Sequence, residues 1–454
     1  MRKLLLLTGA ATLLLGVALL TSCEGPTGPA GISGQDGTDG TDGTDANETC
    51  KLCHNPETVD LISAQYEFSK HGYGEAFFEE AGSTSCGVCH ESEGFKYVVE
   101  NDVSTAFIAD PANAGKFLNG YACSASTAYG AITCNTCHSS IHSTYGASDI
   151  PAFTTTAPVE MTMWAGAKTI DLTVDGDGSS NLCVKCHQPR PFTNSAANKN
   201  VLDYSNLVAN PTDTFYAATN PSGANVLKPG YRTHTHYGTV GAIFAGQGGI
   251  EFAGTLSYSS SQHNTLATCS DCHMAPMNGK AGGHTFTAKG NFNGCIDCHP
   301  NLTSNKSDPS HWADKRTEIQ TLLNDLAADL NVDGIDILNR NPDTEANLWV
   351  SLTTNKYDGY LNIYDPINNA DGVDNNTTGI FQNPSPGTLT GANNTSVWTQ
   401  PQIDFNLTLP LITLTNAQMG AIINFQLCLR EYSLGVHNFN YSKALLTNSL
   451  AMLQ

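Results

Sequence analysis

Six times the chain reads Cys-x-x-Cys-His: at Cys50, Cys53 and His54; at Cys86, Cys89 and His90; at Cys134, Cys137 and His138; at Cys183, Cys186 and His187; at Cys269, Cys272 and His273; and at Cys295, Cys298 and His299. Independent placement of the 15 Cys and 14 His would give about 0.015 such matches in a chain this long, so the repetition is no accident. Two thiols at this spacing reach the two vinyl groups on one porphyrin edge as thioethers, and the imidazole that follows reaches the iron. Zinc sites and thioredoxin-like dithiols need paired motifs or a βαβ context, and neither requires a trailing His. The motifs therefore predict six covalently attached haem c groups, with His54, His90, His138, His187, His273 and His299 as proximal ligands.

Eight further histidines remain: His71, His142, His234, His236, His263, His284, His311 and His437. Such a surplus predicts a second axial imidazole on most or all irons, which lowers the potential and closes the iron to substrate. His142 lies four residues after His138 and is placed to serve a neighbouring haem. His71 and His263 sit in short segments upstream of a motif, and His284 and His437 follow Gly-rich or Gly-Val turns. His236, followed by Tyr237 and Gly238, is preferred to His234. The expected distal set is thus His71, His142, His236, His263, His284 and His437, with His311 outside it.

Between residues 49 and 307 the motifs are separated by loops rich in Gly, Ser, Thr and Asn, with no sustained period of 2 or 3.6. The expectation is a mainly α fold with extensive irregular loops and little sheet, built around stacked haems that replace a conventional core. From 308 to 454 the character changes. A helix of about 20 residues is expected from near Asp308, with Ile319, Leu322, Leu323, Leu326 and Leu330 on one stripe. An Asn/Asp-rich insertion follows, from about Asp333 to Asn394, and then a helical pair over Asn416 to Leu434 and Asn438 to Leu453. This helical module is expected to pack on the haem region.

Residues 1 to 22 carry the marks of a secretory signal: Arg2 and Lys3, then an apolar run from Leu4 to Leu20. Leu20-Thr21-Ser22-Cys23 resembles a bacterial lipobox, which makes Cys23 the lipidated first residue of a mature protein at the outer membrane or cell surface, or facing the periplasm. No later segment is an apolar run of spanning length. Residues 23 to 48 repeat Gly every third position, a collagen-like period too short to rely on for a triple helix; a solvated tether is expected. Gly/Asp-rich stretches after a lipid anchor also resemble the tethers of bacterial outer-surface decahaem cytochromes.

A formal net charge of −21 argues against nucleic acid and anionic headgroups and suits basic redox proteins, cationic shuttles or metal oxides. Cys123 and Cys428 are left over, either as a disulfide or as two buried thiols. Asp171, Asp175 and Asp177, like the stretch Asp371 to Asn376, lack the full calcium-loop pattern and read as solvated turns.

The order Ser261-Gln262-His263, Cys269 to Met274, Gly283-His284, Cys295 to His299, a long helix and Gly435-Val436-His437-Asn438 resembles the C-terminal half of pentahaem nitrite reductases, octahaem cytochromes and hydroxylamine-oxidoreductase-like cytochromes. That resemblance implies distal ligation by His263, His284 and His437. The runs Ser85 to Phe95 and His234 to Gly238 also look like a related group of multihaem cytochromes. The chain lacks the Cys-x-x-Cys-Lys motif of the nitrite reductases. The expectation is therefore an electron carrier with no catalytic residue. The alternatives are an oxidoreductase acting on a small nitrogen or sulfur oxyanion at one open haem, with His234 or His311 nearby, and a homo-oligomer or filament in which a distal His comes from the next protomer.

Overall fold

The computed structural model describes residues 54 to 454 in stretches, without a break over 235–300, 314–332 and 413–454. Residues 1–50, 52–53, 301–313, 333–334, 341–356 and 362–412, and shorter gaps between 75 and 234, lie outside it. The signal, the tether, Cys23, Cys50, Cys53, His234, His311, Asp175, Asp177 and the Asp371 to Asn376 stretch thus fall outside the described residues. The chain divides into two units, Met1–Lys51 and Leu52–Gln454, and the second is described here.

Helix is the principal regular structure, and strand occurs among the described residues only as short two-stranded antiparallel ribbons. The helices are α1 (Val59–Glu67), α2 (Lys70–Tyr73), α3 (Gly87–His90), α4 (Ser92–Glu100), α5 (Cys134–Cys137), α6 (Ser179–Val184), α7 (Tyr204–Ala209), α8 (Val240–Ala245), α9 (His263–Leu266), α10 (Cys269–His273), α11 (Asp314–Asp329), α12 (Asn416–Arg430) and α13 (Phe439–Leu453).

The main core is built by α11, α12 and α13. On α11, Ile319, Leu323, Leu326 and Ala327 are buried, Leu330 beyond its end is buried too, and half-buried Leu322 packs against them. This is the expected stripe, although the described helix begins at Asp314. Helix α12 is buried on nearly every side, which its apolar sequence tolerates. Its N-terminus is fixed by a capping box in which Thr415 accepts from the Gln418 amide and the Gln418 side chain accepts from the Thr415 amide. Asn438 caps α13 by accepting from the Tyr441 amide.

Helix α12 ends at Arg430, not at Leu434 as the sequence pattern predicts. Tyr432, Leu434 and Gly435 all take positive φ, at 62°, 57° and 84°, and the chain turns through 431–437 before α13 begins. The polar side chains inside α12 bond backbone far along the chain. Asn424 accepts from the Ile250 amide and donates to its carbonyl, and Gln426 accepts from the Thr235 amide and donates to the Gly359 carbonyl. Met163, Tyr204, Leu207, Phe215, Ile243 and Phe252 share the same core with the three helices. The 49–307 and 308–454 segments therefore enclose one apolar interior.

A smaller cluster gathers Val159, Met161, Ile170, Leu172, Val184 and Ala242, and another joins Val88, Val98 and Cys123 where α3 crosses α4. Cys123 and Cys428 are both free, buried thiols in different clusters, so no disulfide links them. Burial pushes the Cys428 thiol well up, which makes it inert. Asp171 already accepts from the Thr173 amide and hydroxyl and from the Asn181 side chain, the pattern of an Asx turn.

Candidate metal-ligand pairs

Each described motif folds as a single helical turn. His90, His138, His187 and His299 donate their amides to the carbonyls of Cys86, Cys134, Cys183 and Cys295 at 2.8–3.0 Å, and the fifth motif is α10 itself. A turn of this kind puts the two sulfurs on one side, with the imidazole one step further along. The local sequence secures it: Thr133 with Thr136, and Thr268 with Asp271, form capping boxes at the start of α5 and α10.

Every motif His faces one other His. The pairs, by ring-centroid separation, are His54 with His142 at 5.7 Å, His187 with His71 at 6.0 Å, His90 with His236 at 6.1 Å, His299 with His263 at 6.1 Å, His138 with His284 at 6.2 Å and His273 with His437 at 6.2 Å. An imidazole nitrogen binds a metal at about 2 Å and lies about 1.1 Å from its ring centre, so two imidazoles on opposite sides of one ion sit about 6 Å apart. The residues therefore fit an iron held between each pair. The tightest is His54 with His142, whose Nε2 atoms are 3.5 Å apart, about half an ångström short of that spacing. Among the described residues no group of three or more His, Cys, Asp or Glu converges as a zinc-type site would require.

The second member of each pair is held by its own local device. The Ser69 hydroxyl caps α2, accepting from Gly72, and so presents His71. His142 adopts φ 70°, which turns it away from the direction of His138 and toward His54. His236 lies in a segment pinned to α12 by Gln426 and by the Thr239 hydroxyl, which donates to the Leu427 carbonyl. His263 opens α9, its amide bonded to the Ser261 hydroxyl. The His284 amide donates to Gln65 of α1 across the fold, and Gly282 beside it has φ 98° and approaches the Ala275 carbonyl so closely that a Cβ would lie 2.3 Å from that oxygen. His187 is braced by Gly241 of α8, whose amide donates to the His187 carbonyl at 2.9 Å.

Burial favours, in six of these imidazoles, the neutral form that can donate a lone pair. It draws His187 down to about 4, helped by His71, and draws His236 down to about 3, helped by the charges of Arg190 and His90. His71, His263, His273 and His284 are lowered by burial in the same direction. Two tautomers follow from acceptor-only partners: His273 Nδ1 lies 2.8 Å from the Phe286 carbonyl and His437 Nδ1 lies 2.6 Å from the Glu431 carboxylate. Both Nδ1 atoms carry the proton, which leaves Nε2 as the ligand atom.

The motifs also touch one another. The side chains of Cys89 and Cys186, of Cys183 and Cys269, and of Cys272 and Cys295 are neighbours. Cys89 Sγ also lies 3.9 Å from the Lys185 carbonyl, and Cys186 Sγ lies 3.8 Å from the Val88 carbonyl. These contacts place the second, fourth, fifth and sixth motifs side by side in that order. Phe286 extends the set: its ring lies edge-on to His71 at 4.9 Å and to His284 at 5.8 Å, while its carbonyl holds His273. It does so from φ 53°, a backbone conformation unusual for a bulky residue. Neither Phe286 nor Glu431 was legible as a site residue, because Phe286 meets His71 from far along the chain and Glu431 meets His437 only through the left-handed turn between them.

No helix among the described residues is long and apolar enough to cross a membrane. Comparison with known protein families, with curated proteins and with solved structures found no match for this chain.

Proposed function

We propose that this chain is a hexahaem c-type cytochrome whose work is electron transfer. The observation that carries the reading is that every Cys-x-x-Cys-His imidazole faces a second imidazole at the spacing a shared iron requires. Haem c, when bound, supplies one-electron ferric/ferrous chemistry without needing an open coordination position. The chain's own part is to hold and space the groups. The motif turns fix the thioether sulfurs and one ligand, while α2, α9, the 3₁₀ turn at Gly283–Thr285 and the turn after α12 present the other.

A substrate-reducing haem needs a vacant axial side, and a filament that shares ligands needs a motif imidazole with no partner in its own chain. The six intrachain pairs favour neither. The order of sulfur contacts supports attachment sites close enough for single electrons to pass between them. The lipobox at Cys23 and the acidic surface extend the reading to a lipid-anchored protein at the outer membrane or cell surface that meets basic redox proteins or extracellular acceptors.

The test is mass spectrometry and EPR of the exported protein. A mass gain of six haems with low-spin iron alone, unchanged by nitrite or hydroxylamine, is the expected result. High-spin iron that responds to either compound would replace this reading with an enzyme, and a colourless sample without haem stain would end it.

A further inference from the structure

His437 stands opposite His273 with the two ring planes only 10° apart, and its Nδ1 is bonded at 2.6 Å to Glu431. The Glu431 side chain is fully enclosed. Its Oε2 also accepts from the Ser433 hydroxyl at 2.5 Å, and its Oε1 accepts from the Gly435 amide at 2.9 Å and the Ser433 amide at 3.1 Å. The left-handed turn at Tyr432, Leu434 and Gly435 folds the chain around this carboxylate, so the turn and its anchor form one unit with the imidazole. The groups that meet the carboxylate, the Ser433 hydroxyl and amide, the Gly435 amide and the His437 Nδ1, all face it as donors, an environment that suits the ionised form. An enclosed carboxylate bonded to a ligand imidazole makes that imidazole a stronger donor, and a stronger donor favours the oxidised metal.

Resting on the hexahaem reading, we propose that Glu431 is a positioning residue that orients His437 and lowers the reduction potential of the haem held between His273 and His437. The neighbouring residue works on a different site. Arg430 lies over the Tyr237 ring at 4.7 Å and bonds the Thr235 carbonyl, beside His236. The end of α12 thus sets an anion against one ligand pair and a cation against another.

The experiment is a potentiometric titration of the intact protein, followed by EPR, with Glu431→Gln and Ser433→Ala. Gln keeps the size and an acceptor oxygen but removes the charge. Glu431→Gln should shift a single couple, one of those with near-parallel ligand planes, toward reduction by at least about tenfold, or about 59 mV for one electron. Ser433→Ala removes a competing donor from the carboxylate, so His437 meets a stronger acceptor and the same couple should fall. No movement in either variant, or a rise in Ser433→Ala, would overturn the proposal while leaving six low-spin haems in place. Failure of the hexahaem reading would look different, since the wild-type protein would then have no six couples to titrate.

Discussion

If the chain carries the six haems proposed above, removing one distal imidazole should convert one-sixth of the iron and leave the rest alone. His263 is the best position for this test, because it opens the four-residue α9, which buries none of its side chains, so His263→Ala takes little from the fold. Its ring pairs with that of His299 at 6.1 Å, and the cysteines of that motif, Cys295 and Cys298, are untouched by the substitution. The mass should therefore still show six haems. With six pairs sharing twelve histidines, one open axial side corresponds to one high-spin iron among six. Spin quantification by EPR or magnetic circular dichroism gives the fraction, and added imidazole should return it to the low-spin pool. His311→Ala, applied to a histidine that the distal set does not use, is the control and should change nothing. An unchanged spin state in His263→Ala would refute the pairing, as would a loss of low-spin signal much larger than one-sixth.

The ring planes sort the six pairs into two kinds. Those of His71, His90 and His263 with their partners cross at 64°, 79° and 77°, whereas those of His54, His138 and His273 lie within 19°, 36° and 10°. Crossed ligand planes give the large-gmax type of low-spin signal and near-parallel planes the rhombic type, so the two should appear in equal amounts; a single class would contradict these orientations. Replacing the buried Asn424 with Ala removes bonds to the Ile250 amide and carbonyl and to Ser449, at 2.7–2.9 Å. The Ile250 amide would be left without a partner, while the Ile250 carbonyl keeps the Phe252 amide at 3.1 Å, for an expected loss of about 2–3 kcal/mol in denaturant unfolding; a loss below about 1 kcal/mol would show that water takes over the site. Gly282→Ala should be tolerated poorly, since φ 98° and the nearby Ala275 carbonyl both oppose a Cβ. Its expected mark is a weakened His138–His284 site, read as partial high-spin iron, and a fully low-spin variant would count against the role given to this turn.

The sequence by itself determined what is local: six pentapeptides whose spacing is that of one helical turn, the Ile319-to-Leu330 stripe of α11, and the starts of α12 and α13. Covalent spacing and capping need no distant partner, which is why they can be read from a dozen residues at a time. Tertiary structure alone decided which histidines meet. His138 and His142 lie on one short stretch yet face His284 and His54, because the chain leaves the helix at His138 and turns left-handed at His142. The same holds for Glu431, an ordinary acidic residue in the sequence. Only the tight turn after Arg430, closed by three donors and packed against α11 through Gly435 and Ile319, makes it a buried partner of His437. The segment that carries His236 is likewise held by the packing of α12 against residues nearly 200 positions away, and no local pattern encodes that contact.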